Sequence, residues 1–356
     1  MADLGVDVLC LSVGPDLPYL TGYTAMPLER LTMLVLPRDG DATLVVPVLE
    51  APRVVERPEV FTIRPWRETD DPIALVAGLV GGARTVGIGD HTWARFVLDL
   101  QGALPQARFA KAGAVTGPLR AVKEPAEVEA LRRAAEAVDR IAADLQSGNI
   151  PLVGRTEAEV SADLGRRIVD EGHQHVNFAI VAAGENSASP HHEAGGRVIR
   201  PGEVVLCDFG GTMLDDEGVG WCSDITRCVH VGDPSGEVAD AYAVLHEAQR
   251  ASAAAAVIGT PCQDVDAAAR DVIAAAGYGD RFIHRTGHGI GVEEHEDPYI
   301  VAGNATALVA GHAFSIEPGI YLPGRFGLRL EDIVVAADGG PDELNRADHA
   351  LAVVDA

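Results

Sequence analysis

Hydrophobic positions in the first third of the chain fall into short runs that turn-forming residues separate. Four runs are rich in β-branched and aliphatic residues and predict strands: VDVLCLSV, RLTMLVLP, ATLVVPVL and TVGIGD. Between and after them, DDPIALVAGLVGG and TWARFVLDLQGAL have the apolar spacing of helices. We therefore predict an α/β domain over residues 1–120.

Helical periodicity marks the second part of the chain, which we assign to residues 121–356. KEPAEVEALRRAAEAVDRIAADLQ has a proline and acids in its first turn, followed by apolar positions at helical spacing. TEAEVSADLGRRIVDEG begins with a Thr-x-x-Glu capping box. The same spacing predicts two further helices, in EVADAYAVLHEAQRASAAAAVI and CQDVDAAARDVIAAAG.

Strand-like runs lie between and after these helices. The runs are HVNFAIVAAG, EVVLCDFGG, CSDITRCVHV, AFSIEPGIYL and GLRLEDIVVA. They predict an α+β domain in which antiparallel hairpins carry acidic residues and helices cover the other face.

Five acidic residues lie in the hairpin predicted for VVLCDFGGTMLDDEGVGWCSDITR. Asp215, Asp216 and Glu217 precede a glycine and predict a solvated turn. A turn centred on Asp216 places Asp208 opposite Asp224, with Cβ atoms roughly 5 Å apart. Two carboxylates at this separation in apolar sequence repel, so we expect a proton on one of them or a cation between them.

A second hairpin, in AFSIEPGIYLPGRFGLRLEDIVV, places another pair of acids face to face. Its turn signal is Pro323-Gly324, and a turn centred on Gly324 pairs Glu317 with Glu331. One isolated pair of acids is more often a set of salt-bridge partners or a helix cap. Four acids that converge without matching basic residues favour a divalent metal ion.

Histidines in two further segments offer the nitrogen ligand that the acids lack. HRTGHGIGVEEHEDP holds His284, His288 and His295, and SPHHEAG holds His191 and His192. We interpret the glycines of GHGIG as a tight turn that lets one imidazole project into a site. The glycine order does not match a phosphate-binding loop, and the H-E-x-x-H segment of the common zinc proteases is absent from the sequence.

Charge and cysteine content narrow the partners and the compartment. The 356-residue chain has a formal charge of −25, which argues against nucleic acid because phosphate binding needs a basic surface. The sequence has no apolar run of membrane-spanning length and no signal-peptide pattern. Five cysteines without a C-x-x-C pair indicate reduced thiols. We expect a cytoplasmic protein that binds neither nucleic acid nor membrane.

Five residues in chain order resemble the metal ligands of the pita-bread metallopeptidases, a family that includes methionine aminopeptidase, aminopeptidase P and prolidase. They are Asp208, Asp224, His288, Glu317 and Glu331, in the settings DFG, SDITR, TGHGIG, SIEPG and RLED. The resemblance implies two divalent metal ions, Mn²⁺ or Co²⁺ in the proline-directed members. YLTGYTAMPLERLTMLVLPRDGDATLVVPVLE is similar to the creatinase/prolidase N-terminal domain. Together these features imply an exopeptidase for Xaa-Pro dipeptides or short Xaa-Pro peptides.

The resemblance also implies roles for individual residues. Glu317 matches the general base, which contacts both metals and the attacking water. His191 and His295 match histidines that bind the substrate carbonyl and stabilise the oxyanion. His284 matches a position in the proline pocket, and Arg329 matches an arginine beside the catalytic centre. Because family members are commonly dimers, the resemblance implies a homodimer.

Two features depart from the family pattern. Asp224 follows Asp208 by sixteen residues, more than in the typical family hairpin, and the additional residues fall at the acidic tip. Strict dipeptidases of the family often carry an arginine shortly after HExP that binds the dipeptide carboxylate. Here Tyr299 follows Pro298. We expect Tyr299 to contact substrate and to leave room for peptides longer than two residues.

Two other functions stay open from the sequence. One is a pita-bread hydrolase or lyase that uses the same metals on a non-peptide small molecule. The other is a catalytically silent scaffold of the same fold. The retained acids argue against the scaffold, because a scaffold has no use for buried carboxylates that repel each other.

Overall fold

The structure is a computed structural model that describes residues 1–355. The chain divides into two compact units. The first comprises Met1–Arg120 together with Asp215–Gly220, and the second comprises the remainder of the described chain. The tip of the acidic hairpin therefore groups with the first unit, although the strands that lead to it belong to the second.

A six-stranded sheet forms the first unit. Its strands are β1 (Val8–Leu11), β2 (Met33–Pro37), β3 (Ala42–Pro47), β4 (Phe61–Trp66), β5 (Thr85–Ile88) and β6 (Arg108–Lys111). Its helices are α1 (Asp16–Thr21), α2 (Pro72–Val80), α3 (Ala94–Ala103) and α4 (Gly113–Ala121). The strand order is β4-β3-β2-β1-β5-β6, in which β1 is antiparallel to β2 and parallel to β5.

Both faces of this sheet are buried. Leu9 and Leu11 of β1 belong to the apolar cluster that includes α1, whereas Val8 and Cys10 belong to the cluster that includes α2 and α3. The sequence of a strand that is covered on both faces is a continuous apolar run, without alternation of apolar and polar residues. This explains why the sequence pattern predicts β1, β2, β3 and β5.

The two edge strands of the sheet were not predicted. β4 contains Arg64 and Pro65, and β6 begins and ends with the charged residues Arg108 and Lys111. Charged residues and proline are tolerated at sheet edges because one side of an edge strand has no ladder to complete. The same residues remove the apolar signal on which the prediction depends.

Twelve strands and four helices form the second unit. The strands are β7 (His175–Ala183), β8 (Val204–Leu214), β9 (Gly220–Cys222), β10 (Ile225–Val231), β11 (Gly287–Gly289), β12 (Glu296–Ile300), β13 (Ala313–Ile316), β14 (Gly319–Leu322), β15 (Phe326–Arg329), β16 (Asp332–Ala337), β17 (Gly340–Glu343) and β18 (Ala352–Val354). The helices are α5 (Pro125–Gln146), α6 (Glu157–Asp170), α7 (Gly236–Ala255) and α8 (Cys262–Ala275). Short 3-10 helices lie at Ala2–Leu4 and Ala51–Arg53 in the first unit, and at Gly184–Ala188 and Gly279–Arg281 in the second.

The strands of the second unit form two larger sheets and one two-stranded ribbon. The first sheet has the order β18-β10-β8-β7 with β9 beside β8, the second has the order β12-β11-β13-β16-β17, and β14 pairs with β15. The predicted capping box at Thr156 is confirmed, and Pro125 is the first residue of α5, as predicted. None of the helices within residues 1–355 has a stretch long and apolar enough to cross a lipid bilayer.

Side-chain alternation along β8 places the first acid of the predicted site. Val205 and Cys207 belong to the apolar cluster formed with α5 and α6, whereas Val204 and Leu206 belong to the cluster formed with α7 and α8. Successive side chains of a strand point to opposite faces. Asp208 therefore lies on the same face as Val204 and Leu206.

The acidic hairpin has a register that differs from the predicted one. Asp208 lies opposite Thr226 in the β8–β10 ladder, so the hairpin is centred on Glu217 rather than on Asp216. Asp224, two residues before Thr226, is offset from Asp208 and does not face it directly. The prediction that Asp208 and Asp224 are directly opposed is therefore wrong.

The conformation of the tip explains the difference in register. Oδ1 of Asp215 accepts hydrogen bonds from the backbone N–H groups of Glu217 and Val219, both at 2.9 Å. This side-chain turn moves the centre of the hairpin by one residue. Asp216 and Glu217 are exposed, as predicted, and Oε2 of Glu217 lies 2.8 Å from Nη1 of Arg57 within the first unit.

The C-terminal hairpin has the predicted register. Gly319 lies opposite Arg329 in the β14–β15 ladder, and the β13–β16 ladder continues the same register. Both ladders are centred on Gly324, as the Pro-Gly signal predicted. Glu317 and Glu331 lie in the gap between the two ladders, at positions that are opposite in this register.

A buried ion pair joins β10 to β16 in the second unit. Nη2 of Arg227 donates to Oδ1 of Asp332 at 2.7 Å, and Nη1 donates to the carbonyl oxygen of Glu331 at 2.7 Å. Oδ2 of Asp332 also accepts from Gln249 and lies 2.6 Å from Nε2 of His349. Although burial opposes ionisation of Asp332, the charge of Arg227 keeps the pKa of this carboxyl below its usual value.

We predict that Arg227→Met destabilises the protein by about 3–5 kcal/mol, because it leaves the buried Asp332 carboxylate without its cation. The measurement is urea unfolding followed by circular dichroism. The matched control is Arg250→Met, which removes an exposed ion pair with Glu247 and should cost less than about 1 kcal/mol. Equal effects of the two substitutions would contradict the prediction.

Candidate active site

A cavity of about 740 Å³ in the second unit brings the predicted acids and histidines together. Asp208, Asp224, Glu317 and Glu331 all line it, together with His288. One ligand atom from each of Asp224, His288 and Glu331 lies within 4.8 Å of the others. Nε2 of His288 lies 3.4 Å from Oε1 of Glu317. The five residues therefore form one cluster.

Burial and electrostatic repulsion among the acids raise the pKa values of their carboxyl groups. Burial, together with the charges of neighbouring acids, raises the pKa of Asp224 and of Glu331 well above the usual values. Burial also raises the pKa of Glu317 to about 7. Each carboxyl therefore resists losing its proton while the others are charged. A cation at the centre of the cluster removes this resistance.

Unsatisfied oxygens in the cluster match a metal site. Oδ1 of Asp208 and Oδ1 of Asp224 are buried, and neither has a hydrogen-bond partner among residues 1–355. A buried carboxylate oxygen normally has a partner, since its desolvation is otherwise uncompensated. Four carboxylates and one imidazole form a donor set suited to borderline and hard divalent cations such as Mn²⁺. The residues present therefore fit divalent metal ions.

His288 is prepared to act as a nitrogen ligand. Burial lowers the pKa of His288 to about 3, so the ring is neutral. Its Nδ1 lies 3.2 Å from the carbonyl oxygen of Gly289. With the proton on Nδ1, the lone pair on Nε2 is directed to the side of the ring where Asp224 and Glu317 lie.

The glycines around His288 act differently from the prediction. Gly287–Gly289 is the short strand β11 rather than a tight turn, and neither glycine has a positive φ. A Cβ at Gly287 would lie 1.8 Å from the carbonyl oxygen of Ser315, and one at Gly289 would lie 2.3 Å from that of Asp297. The glycines allow β11 to approach the neighbouring backbone closely, and this approach brings His288 into the cluster.

Arg329 and Thr226 connect acids from different strands. Nη2 of Arg329 donates to Oδ2 of Asp208 at 2.5 Å, and its Nε donates to Oγ1 of Thr226 at 3.0 Å. Oγ1 of Thr226 donates to Oε2 of Glu331 at 2.6 Å. Although burial opposes its charge, Tyr321 and the nearby acids keep the pKa of Arg329 above its usual range. The sequence predicted Arg329 but not Thr226, because a buried threonine in a strand carries no distinctive pattern.

The other predicted histidines also line the cavity. His191, His284 and His295 are among its lining residues, and the ring of His295 lies with its centroid 4.0 Å from that of His288. Nδ1 of His284 lies 2.7 Å from the carbonyl oxygen of Arg285, and Nε2 lies 2.9 Å from the Tyr321 hydroxyl. Both ring nitrogens of His284 are thus occupied, so only the carbon edge and faces of the ring remain for an apolar contact.

Tyr299 occupies a place that the sequence did not predict. It is not among the cavity-lining residues, and instead its ring lies under the guanidinium of Arg285, which does line the cavity.

Phe178 and Ile180 of β7 form an apolar wall of the cavity. Their positions in the strand HVNFAIVAAG were predicted, but the pattern does not show which apolar residues border a site.

His192, to which the sequence analysis gave no role, fixes the segment that carries His191. Its Nε2 lies 2.8 Å from Oε2 of Glu157, a completely buried residue at the start of α6. The same carboxylate accepts hydrogen bonds from Asn186 and from the backbone N–H of Ala183. The Glu157 carboxylate therefore ties the loop around His191 to α6.

Two family models match the chain. The model for metallopeptidase family M24 matches residues 128–338, and the model for the creatinase/prolidase N-terminal domain matches residues 1–122. Together the two models cover most of the chain. The five clustered residues all lie within the first match.

Three relatives are similar over nearly their full length. A crystal structure of dipeptidase PepE from Mycobacterium ulcerans has a TM-score of 0.91 at 46% identity, covering 100% of this chain and 95% of that one. A recombinant prolidase from Thermococcus sibiricus has a TM-score of 0.92 at 35% identity, with coverage of 99% and 96%. A protein named Xaa-Pro dipeptidase from Lactobacillus helveticus is 34% identical over 99% of this chain and 96% of its own length.

We predict that divalent metal stabilises the protein more strongly as pH rises from 5 to 8. In the metal-free protein the raised pKa values of Asp224, Glu331 and Glu317 contribute stability below about pH 4.5. That contribution is lost as the pH rises through the pKa values that these carboxyls have in the folded protein, which is about 7 for Glu317. Metal ions replace the protons, so the rise in melting temperature on adding Mn²⁺ to chelator-treated protein should be larger at pH 8 than at pH 5.

The control for this measurement is Asp216→Ala, which removes an exposed acid of the hairpin tip and should give the same pH dependence as the wild type. Calorimetry in two buffers of different ionisation enthalpy should also show proton release when Mn²⁺ binds. A metal-induced shift that is equal at pH 5 and pH 8 would show that the acids do not exchange protons for metal.

Proposed function

Because the chain belongs to metallopeptidase family M24, we propose that it is a metal-dependent Xaa-Pro peptidase, which hydrolyses the bond between an N-terminal residue and a following proline. The observation that carries the proposal is the convergence of four carboxylates and one neutral imidazole in one cavity, where Arg329 is the one cation within residues 1–355 that pairs with them. The relatives named prolidase and Xaa-Pro dipeptidase support the same substrate class. The fold joins a creatinase/prolidase N-terminal domain to an M24 pita-bread domain.

Asp208, Asp224, His288, Glu317 and Glu331 would hold two divalent metal ions, for which we propose Mn²⁺ or Co²⁺. When bound, such ions lower the pKa of a water molecule and polarise the scissile carbonyl group.

Glu317 is the residue that we propose as the general base. It is half-buried, whereas the other three acids of the cluster are buried. Ser315 Oγ donates to its Oε1 at 3.3 Å and orients the carboxylate. A carboxylate that is both held and open to the cavity is placed to take a proton from water and to pass it to the proline nitrogen that leaves.

His191 and His295 are proposed to stabilise the oxyanion of the tetrahedral intermediate. Both line the same cavity as Glu317, and Glu157 fixes the loop of His191 through His192. Imidazole N–H groups that are fixed before the reaction stabilise developing charge without further reorganisation.

The walls of the cavity suit a proline ring. Phe178 and Ile180 offer apolar side chains, and the His284 ring adds an apolar edge because both of its nitrogens are engaged. Within a peptide, proline has no backbone N–H that needs a hydrogen-bond acceptor. An apolar wall therefore accommodates proline better than residues whose N–H would be left without a partner.

The homodimer that the family resemblance implies stays a prediction.

We predict that chelator-treated protein reloaded with Mn²⁺ or Co²⁺ hydrolyses Xaa-Pro dipeptides and turns over the matched Xaa-Ala dipeptides much more slowly. The measurement is kcat/KM for both series, with metal content determined in the same preparation. Absence of turnover in protein that holds two metal ions would contradict the peptidase proposal and favour a non-peptide substrate. Protein that binds no divalent metal would favour the scaffold.

Asp208→Ala and Glu331→Ala should lower kcat/KM by more than the ~10–100-fold that loss of an outer ligand contact typically costs. Each removes a proposed ligand, so the metal content should fall as well. Asp216→Ala, at the exposed tip of the same hairpin, should stay within about twofold of the wild type, as surface substitutions usually do. A strong loss of activity in Asp216→Ala would show that the tip takes part in catalysis.

A further inference from the structure

Among the residues that the structure describes, Arg285 has no acidic partner, although it lines the active-site cavity. The cavity is lined by two arginines, and the other, Arg329, is bonded to Asp208 and Thr226. Within residues 1–355 no carboxylate oxygen lies within 4.0 Å of a guanidinium nitrogen of Arg285, although this side chain is half-buried. In a protein with 53 acidic residues and only 28 basic ones, such a position calls for an anionic partner from outside the chain.

The ring of Tyr299 holds the guanidinium of Arg285. The guanidinium carbon lies 4.5 Å from the ring centroid, a distance at which the ring face stabilises a cation. Within residues 1–355 the guanidinium N–H groups of Arg285 donate no hydrogen bond, so they are free to bind a partner. These groups match the two oxygens of a carboxylate, which they bind with two parallel hydrogen bonds.

The backbone at Arg285 is held as firmly as the side chain. Its carbonyl oxygen lies 2.7 Å from Nδ1 of His284, and Oγ1 of the next residue, Thr286, donates to Oδ1 of Asp266 at 2.7 Å. Asp266 and Thr286 are both buried. Arg285 is therefore fixed at one position along the cavity wall.

Arg285 lies beside the residues of the catalytic cluster. It precedes His288 by three residues, and both residues line the same cavity as His295. The ring centroids of His288 and His295 are 4.0 Å apart. Arg285 therefore belongs to the same cavity wall as the residues proposed to contact the scissile bond.

We propose that Arg285, supported by Tyr299, binds the C-terminal carboxylate of the substrate and thereby selects dipeptides. The inference rests on the proposed Xaa-Pro peptidase function. The cavity then supplies a group for each feature of an Xaa-Pro dipeptide: metal ligands at the scissile bond, an apolar wall for the proline ring, and a guanidinium for the carboxylate that follows the ring directly.

Selection by length follows from the fixed position of Arg285. A tripeptide carries its carboxylate one residue further out, by up to about 3.3–3.6 Å. A guanidinium held by a ring face and an anchored backbone does not follow it over that distance. Tyr299 thus has the opposite effect from the one expected from the sequence, since it supports a carboxylate-binding residue instead of leaving the site open to longer peptides.

The test compares Xaa-Pro, its C-terminal amide Xaa-Pro-NH₂, and Xaa-Pro-Ala as substrates of metal-loaded protein. The wild type should favour the acid over the amide by about 10–100-fold in kcat/KM, as for loss of a charge-assisted hydrogen bond, and should act poorly on the tripeptide. In Arg285→Met the acid-to-amide ratio should fall to about one, with the change mainly in KM. Equal rates for acid and amide in the wild type, or an unchanged ratio in Arg285→Met, would overturn the proposal.

Two further variants separate contact from general charge. Arg281→Met removes an exposed arginine four residues earlier and should keep the wild-type ratio; if it lowers the ratio as much as Arg285→Met does, the preference is long-range electrostatics and the proposal fails. Tyr299→Leu removes the ring and should lower the ratio in part, because the guanidinium loses its support. A wild-type ratio in Tyr299→Leu would overturn the role of the ring.

A binding measurement separates this proposal from the proposed function. Titration calorimetry with an Xaa-Pro analogue that has a CH₂–N group in place of the scissile amide, and with its C-terminal amide, needs no turnover. Tighter binding of the acid in the wild type but not in Arg285→Met supports the carboxylate contact even if no peptide is hydrolysed. Normal Xaa-Pro hydrolysis with equal binding of acid and amide retains the peptidase function and rejects Arg285.

Discussion

Repulsion among four carboxylates in one cavity is the constraint on which the rest of this structure depends. Burial and mutual charge raise the pKa of Asp224 and Glu331, and within residues 1–355 Arg329 pairs with one of the four acids, Asp208. A chain selected for stability alone would replace such a group with apolar residues of similar volume. The unsatisfied oxygens of Asp208 and Asp224 and the neutral imidazole of His288 favour a multiply charged cation over shared protons in this cluster, and the acids therefore indicate the chemistry before any relative is considered.

The surrounding fold is organised to hold these like charges in place. Asp208 is fixed by the alternation of β8, and Glu317 and Glu331 lie where two ladders of one register leave a gap. Thr226 connects the two groups by accepting from Arg329 and donating to Glu331. Ladders on both sides supply the rigidity that loops could not, because each acid would otherwise move away from its neighbours.

The sequence predicted what depends on local pattern and failed where tertiary contacts decide. The C-terminal register was correct because Pro323-Gly324 allows one tight turn. The acidic register was wrong because Asp215 organises a longer turn through its side chain, and several residues there could have centred it. The glycines beside His288 were assigned to a turn, since the backbones of Ser315 and Asp297, which require Gly287 and Gly289 respectively, lie in other segments. Arg285 and Tyr299 meet only after β11 and β12 pair, so neither was linked to the other.

The distribution of charge in the cavity gives a substrate a direction. The acids and the metals that they would bind line the same cavity as Arg285, which has no acidic partner within residues 1–355. Two divalent ions would neutralise four carboxylates, so the loaded cluster would not attract the ammonium group of a dipeptide. The proposed contact of Arg285 with the substrate carboxylate would instead set the direction, with the single peptide bond on the side of the metal ligands. Under that proposal, cleavage of dipeptides and rejection of longer chains would have one physical origin, the distance between a fixed guanidinium and the metal ligands.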